Sequence, residues 1–305
     1  MNFHEFTTQV ISEMRRRFPG YDIQVQEVPK LQGESYTGMA IHPSGGDIAL
    51  TMDLEALFDR FRNDLYLGNP MKAIEREIKE AVAQMPQFDT EALTNYERMK
   101  EKLTLQLVPS AKNKDLLADI PHRNIEDMAL VYHFDMGHNE RTSSSILVTN
   151  KMLNAYGISA AQLHDDALEA ASHSCPATLR NMNEVIHNMA GQTDPSPMWV
   201  ASIENGQNGA CVIQYPHFLD DAAETLGGSF YVLPSSIHEV LLLADDTSPS
   251  LSELENMVRT INQAEVAPEE RLSDNVFHYD CESHIFENAR TFEARLSAVE
   301  QSVAN

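Results

Sequence analysis

Cysteine is scarce in this sequence, which has three cysteines, Cys175, Cys211 and Cys281, among 305 residues. An odd and sparse set excludes a disulfide framework and is typical of the reducing cytosol. The first residues have neither the basic nor the apolar segment of a signal peptide. The longest apolar runs, such as Val240–Ala244, are far shorter than the ~20 residues that a membrane-spanning helix requires. The sequence therefore predicts a cytoplasmic protein that is not inserted in a membrane.

Basic residues are also scarce, and one long stretch has none. The chain has 22 Lys and Arg against 46 Asp and Glu, a formal net charge of −24. The 78 residues from 181 to 258 contain 11 carboxylates and no Lys or Arg. Such a surface repels phosphate backbones, which disfavours direct nucleic-acid binding, and it attracts basic proteins. The plainer alternative is a solvated surface that only keeps the protein soluble.

Phosphate-binding glycine motifs are absent as well. The paired glycines at 45–46 and 227–228 fit neither a dinucleotide-binding nor a Walker pattern. We therefore predict no nucleotide and no other cofactor.

Apolar periodicity predicts an α+β fold that begins with a small α+β unit over residues 1–102. Helical spacing over residues 3–18 predicts an amphipathic helix, and Tyr21–Val28 and Ser35–His42 are typical of strands. Asp53 and Pro70 are expected to begin two further helices.

Residues 103–280 form a larger mixed α/β region in which paired strands alternate with helices. This order predicts a mostly antiparallel sheet covered on one face. Asn205-Gly206 predicts a hairpin between strands Met198–Glu204 and Ala210–Tyr215. Asn150 and Ser252 are expected to be N-cap residues of two helices.

A narrow apolar stripe marks the C-terminal segment, residues 281–305. It consists of residues spaced four and three apart, namely Ile285, Ala289, Phe292, Leu296, Val299 and Val303. A helix of this length is not stable alone, so it must dock on its own chain or on a second copy. The second alternative is a homodimer through Ile285, Phe292, Leu296 and Val299.

The stretch from Leu233 to Val240 is the most enzyme-like part of the sequence. Ser235 or Ser236, with His238 and Glu239, could form a hydrolase-type site. However, Ser236 and His238 are two apart on a strand, which strains a direct hydrogen bond between their side chains. The alternative is a polar turn whose serines satisfy backbone groups.

Other polar residues are weaker candidates for binding. His122 and Arg123 precede a predicted strand and could hold an anion, or Arg123 could neutralise nearby carboxylates. Two acidic pairs could bind a cation or lie in solvent: Asp220 with Asp221, and Asp245 with Asp246.

His278, Cys281 and His284 have zinc-compatible side chains in an H-x2-C-x2-H pattern. A fourth ligand would have to come from elsewhere, and such spacing also arises by chance. We therefore predict no bound metal.

Four stretches resemble the bacterial domain-of-unknown-function family 5688. They are Leu116–Tyr132, Ser145–Gly157, Gly206–Leu243 and Met257–Asp280, and the helix that begins near Phe3 also fits. The resemblance covers almost the whole chain and implies the same organisation, but it implies no reaction and no site residues. His278, Cys281 and the tail after residue 280 depart from the family pattern, which further weakens the zinc interpretation.

Charge and motifs together favour a non-catalytic protein that uses an acidic surface to bind a basic protein partner. A hydrolase that uses residues 235–239 and a protein that self-associates through its C-terminal helix are the two alternatives.

Overall fold

A computed structural model describes residues 1–28, 30–31, 33, 35–42, 50–63, 70–84, 90–138, 143–185, 197–234, 236–245 and 249–303. The chain divides into two compact units, unit 1 (Met1–Leu93) and unit 2 (Thr94–Asn305). The division into an N-terminal unit (1–102), a main region (103–280) and a C-terminal docking helix (281–305) stays a prediction. In the described ranges, no helix is both long enough and apolar enough to cross a bilayer.

Unit 1 packs helices on a three-stranded antiparallel sheet in the order β1-β2-β3. Its elements are α1 (Phe3–Arg17), β1 (Asp22–Val28), β2 (Tyr36–His42), β3 (Leu50–Asp53), α2 (Leu54–Asn63), α3 (Pro70–Gln84) and α4 (Thr90–Leu93). The apolar stripe of α1, including Phe6, Val10 and Met14, is fully buried against this sheet and its neighbouring helices. Asn2 caps α1 by accepting a hydrogen bond from the backbone of Glu5.

Unit 2 contains two antiparallel sheets where one was expected. Its first half comprises α5 (Tyr96–Met99), β4 (Leu103–Pro109), α6 (Lys114–Leu117), β5 (His122–Ile125), β6 (Met128–His138), β7 (Ser143–Leu147), α7 (Asn150–Tyr156) and α8 (Ala160–Ser174). Strand β6 pairs with β4, β5 and β7. Helix α8 packs against β4.

The second half of unit 2 builds a six-stranded sheet in the order β13-β12-β10-β11-β9-β8. Its elements are β8 (Ala177–Asn181), β9 (Met198–Ile203), α9 (Phe218–Leu226), β10 (Phe230–Leu233), β11 (Val240–Ala244), α10 (Leu251–Ala264), β12 (Phe277–Asp280), β13 (Ile285–Asn288) and α11 (Ala289–Val303). The predicted α+β class, the antiparallel pairing and the C-terminal helix are confirmed.

The predicted hairpin at Asn205-Gly206 is wrong. The turn is present, with Gly206 at φ 70°, but Gly209–Gln214 forms a buried 3₁₀ helix instead of a strand. This helix packs against both β9 and β4, and the strands that pair with β9 are β8 and β11. Gly209 lies so close to the backbone of Ile203 and His238 that a side chain has no room there.

Three predicted helix starts differ from the observed ones. Thr149, not Asn150, caps α7, because its hydroxyl accepts a hydrogen bond from the backbone nitrogen of Met152. Ser250, not Ser252, is the N-cap of α10. Ile285 lies in β13 rather than in the last helix, since it pairs with Asp280 of β12.

Candidate functional site

Helix α9 and the turn Cys281–His284 of unit 2 are linked by a hydrogen bond and together contain four carboxylates. We call Asp220, Asp221, Glu224 and Glu282 the acidic face. Asp220 joins the two elements, because its Oδ1 accepts hydrogen bonds from the hydroxyl of Tyr279 at 2.5 Å and from Nδ1 of His284 at 2.7 Å. The structure therefore brings together Asp220 and His284, which are 64 residues apart in sequence.

Local sequence explains both elements of the acidic face. Asp220 and Asp221 occupy the first turn of α9, where the helix dipole favours negative charge, and Gly227 ends the helix at φ 88°. In the turn, the carboxylate of Asp280 accepts hydrogen bonds from the backbone nitrogens of Glu282 and Ser283. The β12–β13 connection is thereby fixed against α9.

The hydrogen bonds of Asp220 stabilise its ionised carboxylate. Hydrogen bonds from Tyr279 and then His284 lower the pKa of Asp220. Burial and the neighbouring Asp220 carboxylate raise the pKa of Tyr279. Asp220 is therefore ionised and Tyr279 protonated at physiological pH.

His278 lies on the other side of β12 from the acidic face, because successive side chains on a strand point to opposite faces. It is fully buried, its Nε2 lies 3.1 Å from Oδ2 of Asp245, and its ring stacks on Phe292 with centroids 3.6 Å apart. Burial lowers the pKa of His278, and the nearby Asp245 partly opposes this shift.

The three zinc-type residues therefore do not converge on one point. Cys281 accepts a hydrogen bond at its Sγ from the hydroxyl of Ser229. Across the described part of the chain, no group of three or more His, Cys, Asp and Glu side chains is arranged to hold a metal ion. Asp246 lies outside the described residues.

Helix α11 packs on β12 and β13 of its own chain. Arg290 donates two hydrogen bonds, of 2.6 and 2.5 Å, to the buried carboxylate of Glu255, and Arg295 donates to Glu287. The ring of Phe292, a residue of the apolar stripe, therefore packs against its own chain. Ile285 and Leu296 remain 40% and 45% exposed, while the side chain of Val299 lies outside the described residues.

The loop that contains Ser236 and His238 is held by backbone contacts. The hydroxyl of Ser236 accepts a hydrogen bond from the backbone nitrogen of His238 at 3.0 Å. Nδ1 of His238 accepts from the backbone nitrogen of Asn208 at 3.1 Å, so the ring proton is on Nε2, 3.5 Å from Glu270. The lone pair that a general base would need is directed at a backbone N–H rather than at Ser236.

The predicted hydrolase site has two further members, Glu239 and Ser235. Glu239 contributes its carbonyl oxygen, which accepts a hydrogen bond from the backbone nitrogen of Ser236. Ser235 lies outside the described residues.

Arg123 has a partner that the sequence did not indicate. Its Nη1 lies 2.6 Å from Nε2 of the buried His164 on α8, whose Nδ1 lies 3.1 Å from the hydroxyl of Tyr132. Because a guanidinium only donates, Nε2 must accept, and His164 is neutral. Burial and then Arg123 lower the pKa of His164, and burial raises the pKa of Tyr132 to about 12. His122 points elsewhere, with Nδ1 3.1 Å from the carbonyl of Ile120.

Comparison with known proteins identifies the family of the chain but indicates no activity. No curated protein and no solved structure matches the chain. Residues 3–281 match the family of unknown function DUF5688, and this region ends within the turn that carries the acidic face. The resemblance seen in the sequence is confirmed, and the chain belongs to the DUF5688 family.

Proposed function

We propose that this protein is a non-catalytic, cytoplasmic binding protein whose acidic face engages a basic segment of a partner protein. One observation carries the proposal. Asp221, Glu224 and Glu282 are exposed, and none of them forms a salt bridge with Lys or Arg among the described residues. Exposed carboxylates without counter-charges create a negative potential that attracts cationic ligands.

Some other carboxylates of the chain are neutralised by arginine. Glu13 pairs with Arg16 and Arg17, and Glu255 pairs with Arg290. The acidic face lies largely within the 78 residues that contain no Lys or Arg, so its own stretch of chain supplies no cation. A basic partner would provide the missing counter-charge.

The two alternatives receive less support from the geometry. A Ser–His hydrolase needs the imidazole to accept the serine proton, whereas the available lone pair of His238 accepts from a backbone N–H. Self-association through the C-terminal stripe would compete with the stacking of Phe292 on His278.

A basic peptide of about ten residues, rich in Lys and Arg, is a suitable probe. Its binding to the full chain can be followed by fluorescence anisotropy between low and moderate salt. The test variant is Asp221→Lys with Glu224→Lys. The matched control is Glu101→Lys with Glu265→Lys, which changes the net charge equally at exposed positions away from α9.

We expect the α9 variant to bind about tenfold more weakly at low salt and the control to bind nearly as the parent does. Binding of the parent should weaken as salt rises, because salt screens exposed charges. Equal losses in both variants would show that only net charge matters, and binding that ignores salt would contradict the electrostatic basis. Either result overturns the proposal.

A further inference from the structure

Strand β1 of unit 1 is an edge strand with unusual exposure. Among the described residues it pairs with β2 only, as the sheet order β1-β2-β3 shows. Ile23 is its buried residue, and Val25 is 45% exposed, one of few large apolar side chains so exposed among the described residues. The strand therefore presents an open edge and an apolar side chain, although Arg15 already donates to the carbonyl oxygen of Ile23.

This edge has only part of the protection that edge strands usually carry, namely the charged residues Asp22 and Glu27. Asp22–Val28 contains no Lys, no Pro and no Gly, and its register with β2 is continuous from Asp22 to Val28 without a bulge. Soluble proteins normally use such features to stop an edge from pairing with another chain. A regular seven-residue edge without Lys, Pro or a bulge is suited to pairing with a further strand.

A groove between α1 and β1 continues this surface. It has a volume of about 710 Å³, and Val25, Thr7, Ile11 and Arg15 are among the residues that line it. No carboxylate is among the described residues that line the groove, which sets it apart in a protein of net charge −24. The hydroxyl of Thr7 is buried and has no hydrogen-bond partner among the described atoms. The groove offers no attraction to a basic partner and no repulsion to another acidic chain.

The sequence of β1 is complementary to itself in antiparallel pairing. With Val25 placed opposite Val25 of a second copy, Gln24 faces Gln26, and the charged residues Asp22 and Glu27 face Val28 and Ile23. No two like charges are opposed. The two-fold axis of such a pair is perpendicular to the sheet, so both α1 helices lie on the same face.

Arg15 adds a specific contact to this arrangement. Its Nε and Nη2 donate to the carbonyl oxygen of Ile23 at 3.0 and 2.7 Å, which places the guanidinium beside the strand edge. Glu27 of the second copy would lie opposite Ile23, with its side chain on the face that carries α1. Two symmetric ion pairs between Arg15 and Glu27 would result.

We propose that the protein forms a homodimer in which two β1 strands pair antiparallel about Val25 and join the sheets of unit 1 into one six-stranded sheet. This surface consists of residues of unit 1, whereas the acidic face and the C-terminal helix belong to unit 2.

The mass of the full chain in solution tests the proposal. At about 50 μM, above the ~μM dissociation constant of a modest interface, light scattering should give twice the chain mass of 34.2 kDa. Val25→Lys, which places a charge on the edge, should give the single-chain mass. Ile285→Lys, which makes the same change at an exposed apolar residue of another edge strand, β13, should leave the dimer intact.

A cysteine at the symmetry axis gives a second readout that does not depend on the fold of the lysine variant. Paired Cα atoms across antiparallel strands are ~4.5–5.5 Å apart, which a disulfide can bridge. Val25→Cys should therefore cross-link on oxidation, whereas Gln24→Cys and the parent chain should not.

A parent chain of single mass, a Val25→Lys variant that keeps the double mass, or loss of the dimer in Ile285→Lys would each overturn the proposal. Failure of Val25→Cys to cross-link would do the same.

Discussion

Gly209, at the start of the buried 3₁₀ helix, is the position where a single added methyl group should be most damaging. An added β-carbon would lie 2.6 Å from the carbonyl oxygen of His238 and 2.7 Å from the backbone nitrogen of Ile203, and it would overlap the hydroxyl of Ser202. Two of these three neighbours are backbone atoms, so rotation of a side chain cannot relieve the overlap. Ser202 also donates a 2.8 Å hydrogen bond to that carbonyl of His238, which any relief would disturb.

We expect Gly209→Ala to lower the free energy of unfolding of unit 2 by about 3 kcal/mol or more, at or beyond the upper end of ordinary overpacking. The matched control is Gly228→Ala, because no atom lies within 4 Å of an added β-carbon there. The control should change stability by less than about 1 kcal/mol.

Urea unfolding followed by tryptophan fluorescence measures this difference. The chain has a single tryptophan, Trp199 on β9, so the signal reports on unit 2. A cost below about 1 kcal/mol for Gly209→Ala, or equal costs for the two variants, would refute the packing argument.

Burial lowers the pKa of His133 to about 4, so the folded chain resists its protonation and loses stability as pH falls from 6.5 towards 4. Between pH 7 and pH 4 this decrease in the free energy of unfolding is on the order of 3 kcal/mol. We expect His133→Leu to abolish the decrease measured by urea unfolding, and an unchanged pH dependence would contradict this. Phe292→Ala should loosen α11 and speed tryptic cleavage within it, whereas Leu296→Ala, at an exposed position, should leave the cleavage rate unchanged. Burial raises the pKa of Cys211 to about 12, so a thiol reagent should modify the two half-exposed cysteines of the native chain and reach Cys211 only in denaturant.

Amphipathic periodicity predicted the helices and strands well because it reports burial directly. The stripe of α1 is an example, since each of its central apolar residues is buried. Capping patterns located helix starts less accurately where two candidate N-cap residues lie close together in the sequence. Ser250 and Ser252 each precede a glutamate by three residues, and Glu255 is not free to cap because Arg290, 35 residues away, binds its carboxylate. A long-range contact thus decided a local choice.

The sequence indicated individual candidate residues, but it did not indicate which of them lie together in the fold. Nothing local to Asp220 indicates that it meets His284, and nothing local to Arg123 indicates that it meets His164, which lies on the apolar face of α8. The zinc-type pattern misled for a related reason. His278 and His284 are close in sequence, but the strand and the following turn direct their side chains to different surroundings.

The two proposed interactions should respond to salt in opposite directions, which separates them in one experiment. Attraction between the acidic face and a basic peptide is a sum of exposed charge pairs, and added salt screens it. Two copies of a chain with net charge −24 repel each other, while the edge of β1 and its groove contribute backbone hydrogen bonds and apolar contact. Screening should therefore strengthen the dimer while it weakens the peptide complex. If both weaken together as salt rises, the dimer is held by the Arg15–Glu27 charges rather than by pairing of the strands, and Glu27→Gln should then abolish it.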